Sequence, residues 1–213
     1  MSSNKPETRI KILEATWKLL EQRGGVGVRM SDIAKRAGVS RQAVYLHFAT
    51  RIELMSATTK YVDELRGLEK RLARVQQSKN ATEMLNTYVD VWGNYIPEIY
   101  GLAKALLVAR ASDEAAEAAW NDCMGDLRQG CREIVGALKK ENNLAASWSA
   151  EKASDMMWTM LSFQTWEHLT IDCGWSVDQY VTQMQTTLRA TFVKPPENEA
   201  QIITQYHHTN KSA

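Results

Sequence analysis

Glycine and proline are scarce, at 11 and 4 in 213 residues. Leu, Ala, Glu, Lys, Gln, Met and Arg fill much of the chain, so little in it breaks a helix and the expected fold class is all-α. Long apolar runs are also missing. The most apolar stretch, Leu102 to Ala111, is interrupted by Lys104 and falls far short of the roughly 20 residues that span a bilayer, which argues against membrane insertion. Cysteine is limited to Cys123, Cys131 and Cys173. An odd count behind the polar start MSSNKPETR, with no secretory leader, leads us to expect reduced thiols in a cytoplasmic protein. Cys123, Cys131 and His168 lack the close ligand pairs of a zinc site, and no serine lies in a nucleophile elbow. No metal, cofactor or catalytic residue is therefore expected, and the adjacent His207 and His208 read as solvated.

What the chain does have is an apolar fraction of 44%, enough for a core, and an uneven charge. The net +1 divides into +6 over residues 1–60 and −5 over the rest. Such asymmetry marks a candidate polyanion-binding end.

About nine helices are expected. Pro6 suits a first helical turn, and Ile10, Leu13, Trp17 and Leu20 recur at helical spacing until Gly24 and Gly25. A short helix capped by Ser31 carries Ile33, Ala34 and Ala37 as far as Gly38, and Ser40 caps the next. Thr50-Arg-Ile-Glu53 has the form of a capping box opening a connecting helix over 51–78. Asn80 caps another helix, which Pro97 is expected to interrupt, with a further one from Ile99 to Ala111. A helix from Asp113 to Asn142 follows. The helix from Ser149 to Cys173 is apolar on several sides and so needs burial on several sides. The last, boxed by Ser176 and Gln179, stops at Pro195 and Pro196, before a polar tail.

Two short helices joined by a tight glycine turn and backed by a longer one are the sequence form of a helix-turn-helix, whose second short helix enters the DNA major groove. Gly38 turns the chain, Ser40 caps the reading helix, and Val39, Val44 and Phe48 anchor it on Ile33, Ala34, Leu13 and Trp17. The outward set is then Arg41, Gln42, Ala43, Tyr45, His47 and Arg51. Arg41 suits guanine, Gln42 adenine and the Ala43 methyl thymine, whereas Tyr45, His47 and Arg51 suit phosphates.

Over residues 8 to 55 the chain resembles the tetracycline-repressor-like (TetR) family of bacterial regulators. The likeness rests on Ile33-Ala-Lys-Arg-Ala-Gly-Val-Ser40, Tyr45-Leu-His-Phe48 and Glu53-Leu54. It implies an N-terminal DNA-binding domain over 1–50, a larger helical ligand-binding and dimerisation domain over 51–194, and a tail over 195–213. It further implies a homodimer formed by the last two long helices, and a ligand pocket inside the larger domain. Ser40, Arg41, Gln42, Ala43, Tyr45 and His47 match the family's DNA-facing positions, and Arg51 stands where the family commonly has lysine.

Candidate pocket residues are Trp92, Tyr95, Trp120, Met124, Met157, Met160, Phe163 and Trp166, each of which packing alone would also explain. The expected protein is a repressor, not an enzyme. As a dimer it would bind a near-palindromic duplex operator and be released by a small apolar or aromatic effector. A ligand-independent DNA binder and a helical small-molecule enzyme are the alternatives.

Overall fold

Capped helix starts and left-handed turns divide the chain into ten α-helices in the computed structural model, which describes residues 5–195. They are α1 (Lys5–Gln22), α2 (Met30–Ala37), α3 (Arg41–His47), α4 (Arg51–Leu65), α5 (Leu68–Gln76), α6 (Ala81–Ala109), α7 (Glu114–Lys140), α8 (Ala150–Met160), α9 (Phe163–Glu167) and α10 (Val177–Phe192). A π-helical turn, His168–Asp172, continues α9. Among the described residues the fold is all-α, with ten helices where about nine were expected. Among the described residues, no helix is long and apolar enough to cross a membrane. Beyond Pro195, the expected polar tail with His207 and His208 lies outside the described residues.

One compact unit comprises residues up to Ala73 together with Asn94–Leu127. In α1 the buried stripe is Ile12, Leu13, Ala15, Thr16, Leu19 and Leu20. Ile10 is exposed and Trp17 half-buried, so the expected stripe is rotated by part of a turn. Helix α1 packs on α2 and α4. The Tyr61 hydroxyl of α4 donates to Glu14 at 3.0 Å, and the Arg66 guanidinium lies 5.7 Å from the Trp17 ring centre. Compactness therefore does not divide the chain at residue 50, because α4 shares a unit with the helices before it.

Two expectations about helix ends are corrected in this unit. Helix α2 begins at Met30, one residue before Ser31, and the Asp32 carboxylate accepts from the Arg29 N–H at 3.4 Å in the capping role given to the serine. The single connecting helix over 51–78 is two helices, α4 and α5, separated where Gly67 takes a left-handed φ of +66°.

The second unit comprises Arg74–Gly93 together with residues from Arg128 onward. The Ser149 to Cys173 segment is not one helix. Ser162 turns extended and caps a new start by accepting from the Thr165 N–H, so α8 and α9 are separate. Met157, Phe163 and Trp166 are buried, and Met156 and Ile171 are left exposed. The segment's many-sided apolar pattern is thus only partly left on the surface. On α10, Thr182, Gln183, Thr186 and Arg189 form a polar exposed face. The chain before α8 pairs with the end of α10 through the Leu144–Val193 bridge.

Helix α6 runs unbroken through Pro97, against expectation. Proline has no N–H to give the carbonyl four residues back, which here is that of Gly93. The indole N–H of Trp166 donates to the Gly93 oxygen at 3.3 Å, so the carbonyl is not left unpaired. Gly93 has no side chain because Val181 is too close: a Cβ there would lie 2.5 Å from its Cγ2.

Candidate nucleic-acid interface and effector region

The reading helix is built as its residues dictate. Gly38 adopts a left-handed φ of +68°, which ends α2 and turns the chain. Ser40 is extended and its hydroxyl accepts from the Ala43 N–H at 3.0 Å, fixing the start of α3. Val44 and Phe48 are fully buried, and the Arg9 guanidinium lies 4.9 Å from the Phe48 ring centre. A seven-residue helix has little stability alone, so this clamp is what makes it rigid.

Outward from that clamp stand Arg41, Gln42, Tyr45 and Leu46, all exposed, while Ala43 and His47 are half-buried. Arg41 and Tyr45 are one turn apart, with the guanidinium 5.7 Å from the ring centre. Behind them α2 exposes Lys35 and Arg36, the latter donating to Gln22 at 2.9 Å. Six of the seven expected DNA-facing residues, Ser40, Arg41, Gln42, Ala43, Tyr45 and His47, thus lie on α3 or at its cap, each exposed or half-buried.

Arg51 is placed differently. Its Nε and Nη2 both reach Asp113, at 3.1 and 2.6 Å to Oδ2, and both side chains are largely covered. Partial burial pushes the Asp113 carboxyl up, but Arg51 and the Ala115 N–H outweigh it and hold the carboxyl below its ordinary range. The expected phosphate ligand therefore has its fork on a carboxylate 62 residues away, and no local pattern in the sequence signals that. The exposed Leu46, by contrast, is legible, because it lies four residues after Gln42 and hence on the same face.

The expected pocket residues fall into both units. Tyr95, Trp120 and Met124 belong to the first, and Trp92, Met157, Met160, Phe163 and Trp166 to the second. In the first unit the fully buried Tyr95 donates its hydroxyl to Asp63, and the Arg71 guanidinium lies 5.5 Å from its ring centre. Arg71 also pairs with Glu98 at 2.6 Å. Burial pushes the Asp63 carboxyl up; the Tyr95 hydrogen bond pulls it down without cancelling the rise, and Asp126 adds to it. Burial likewise pushes the Cys123 thiol up to about 12, with Asp63 adding to it. Trp120 is buried, with the Arg110 guanidinium 5.6 Å from its ring centre. In the second unit Trp166 meets the Tyr180 ring edge-on at 6.5 Å. His168 is exposed and bonded to Asp172 at 2.8 Å. Among the described residues no cluster of three or more His, Cys, Asp or Glu is arranged to hold a metal ion.

Residues 12–58, which include this helix pair, match the family described as bacterial regulatory proteins, tetR family. The chain is similar to the HTH-type transcriptional regulator CymR of Pseudomonas putida, 26% identical over 186 residues that cover 81% of this chain and 82% of that protein. Its fold is similar to that of NalD, the secondary repressor of the MexAB-OprM multidrug efflux pump in Pseudomonas aeruginosa. That match has a TM-score of 0.68 and 17% identity, and covers 90% of this chain and 98% of that one. It is also similar to the transcriptional regulator FadR of Bacillus subtilis in complex with stearoyl-CoA, with TM-score 0.68, 14% identity, and 84% and 96% covered. At those identities the structural likeness is one of fold, and the match to the family lies over the helix-turn-helix. Residues 12–58 thus match the tetR family of bacterial regulatory proteins, and the chain as a whole is similar to transcriptional regulators in fold.

Proposed function

We propose that the chain is a ligand-responsive, sequence-specific DNA-binding regulator that acts as a homodimer and represses until a small apolar or aromatic effector releases it. The observation that carries this reading is the clamped α3, which offers Arg41, Gln42 and Tyr45 to solvent from a rigid base. Arginine and glutamine have the paired donors and acceptors that read guanine and adenine edges. Tyr45, His47 and the Ser40 hydroxyl would meet backbone phosphates. Residues 1–50 act as the DNA-binding domain and residues 51–194 as the domain for effector binding and dimerisation. Two copies related by a two-fold axis would set their reading helices about 34 Å apart, one turn of duplex. The protein acts in the cytoplasm, where its DNA is, and catalyses no reaction.

The effector is proposed to contact a subset of Trp92, Tyr95, Trp120, Met124, Met157, Met160, Phe163 and Trp166. Two relatives in fold support a small-molecule input: one represses a multidrug efflux pump and the other is seen with stearoyl-CoA. Effector binding would shift the balance between two placements of α4, which leads directly from the reading helix. Selection from a random duplex pool tests the reading, with and without a library of apolar and aromatic metabolites. Enrichment of a two-fold-symmetric site, lost when one class of metabolite is added, is the expected result. If no duplex is enriched the DNA-binding reading is wrong, and if none of the metabolites alters binding the release mechanism is wrong.

A further inference from the structure

Leu46 is 80% exposed, the most exposed large apolar side chain among the described residues. It sits on α3, whose other side is locked by Val44 and Phe48. Single exposed leucines are ordinary on a protein surface, and what sets this one apart is its setting. It stands four residues after Gln42, so the two side chains share one face, and the leucine leans back toward the helix start over the glutamine. The neighbouring row is filled by Arg41 and Tyr45, stacked on each other. Exposed Lys35 and Arg36 lie on the preceding helix. An exposed apolar side chain next to a row that carries Arg41, on a rigid helix, suits a polyanion that carries a small apolar feature. In the major groove, that feature on the base edges is the thymine C5-methyl.

We propose that Leu46 is a specificity-determining residue that reads thymine, its methyl groups resting on the C5-methyl of a thymine beside the base pair contacted by Gln42. This rests on the DNA-binding function proposed above. The thymine contact expected of Ala43 passes to Leu46, because Ala43 is half-buried and short, whereas Leu46 projects from the same face.

The test takes the duplex most enriched by the full-length wild-type protein from a random pool and replaces its thymines one at a time by uracil, which lacks only the methyl. Wild-type affinity should fall at one thymine per half-site by about fourfold, the worth of one buried methyl. Leu46→Ala should bind the parent duplex more weakly by a similar or larger factor and be indifferent to that same replacement. Its thermal melting should match wild type, since the side chain leaves nothing in the core. Equal sensitivity of both proteins to uracil, or no sensitivity in either, overturns the thymine contact while the DNA-binding function stands. A selected half-site without thymine does the same, as does a Leu46→Ala protein whose only change is in self-association. Failure to select any duplex overturns both.

Discussion

The Arg51 guanidinium grips the Asp113 carboxylate with two nitrogens, tying the first residue of α4 to the turn that precedes α7. Arg51 follows α3 by only a few residues, so the pair fixes the reading helix to the helices behind it. From this arrangement we propose that Arg51 positions the reading helix rather than holding a phosphate. Arg51→Ala and Asp113→Ala should each weaken binding to a selected duplex by roughly 3- to 10-fold, and the double variant should be no worse than either single one. The salt dependence of binding should stay that of wild type, since no phosphate contact is removed. A shallower salt slope in Arg51→Ala alone would return Arg51 to the DNA.

The same pair sets a pH dependence. The Asp113 carboxyl is held below its ordinary value of 3.8 in the folded protein. Its contribution to stability is therefore complete above that value and is lost as pH falls through the lower, folded one. Asp113→Asn should remove part of the acid-induced loss of stability below about pH 4. Urea melts of both proteins at pH 3 and pH 7 would measure it, and identical acid loss in the two would contradict it.

Trp166 reads in the sequence as a pocket residue, and in the structure its indole N–H donates to the Gly93 carbonyl of α6. Trp166→Phe keeps an aromatic ring against Tyr180 but withdraws that donor, and should cost about 1–3 kcal/mol. Pro97→Ala restores an in-helix N–H for the same carbonyl and should recover most of that loss in the double variant. A Trp166→Phe protein as stable as wild type would show that the bond contributes nothing.

How far the sequence can be read follows from the range of the interactions involved. The turn at Gly38, the Ser40 cap and the anchors Val44 and Phe48 lie within a dozen residues of one another, so local periodicity and capping chemistry expose them. Pro97 misleads because the remedy for its missing N–H comes from Trp166, far along the chain. The Arg51–Asp113 pair is hidden in the same way: the partners are 62 residues apart, and a lone Asp113 ahead of a helix reads only as a cap. Gly67 is hidden as a break because Leu65, Leu68 and Leu72 keep helical spacing across it. The Asp63–Tyr95 contact, between helices 32 residues apart, has no local signature either.

Gly25 approaches the backbone of α6 so closely that a Cβ would lie 2.0 Å from the Ala105 oxygen, in a residue whose φ is +82°. Gly27, in the same turn, has a left-handed φ of +65° but open space around it. Gly25→Ala must therefore move backbone against backbone, whereas Gly27→Ala meets only the left-handed penalty of about 1–2 kcal/mol. The first should lose clearly more stability, on the order of 3 kcal/mol or above. Chemical denaturation of the two variants side by side gives the comparison, and equal losses would mean that α6 yields to the added methyl.

Asp63 presents the opposite case to Asp113. Burial raises its carboxyl above the ordinary 3.8, and the hydrogen bond from Tyr95 only partly offsets that. A raised folded value means that the protonated form is the one the fold favours. The stability it contributes is present below 3.8 and lost as pH rises through the folded value, so above that value the buried charge is a burden on the first unit. The amide introduced by Asp63→Asn would keep an oxygen for the Tyr95 hydroxyl and carry no charge to bury. The variant should melt higher than wild type at pH 7, by roughly 2–4 °C for each kcal/mol relieved, and the gap should close as the pH is lowered toward about 4. A variant that melts lower than wild type at pH 7 would mean that the charge of Asp63 is compensated inside the fold.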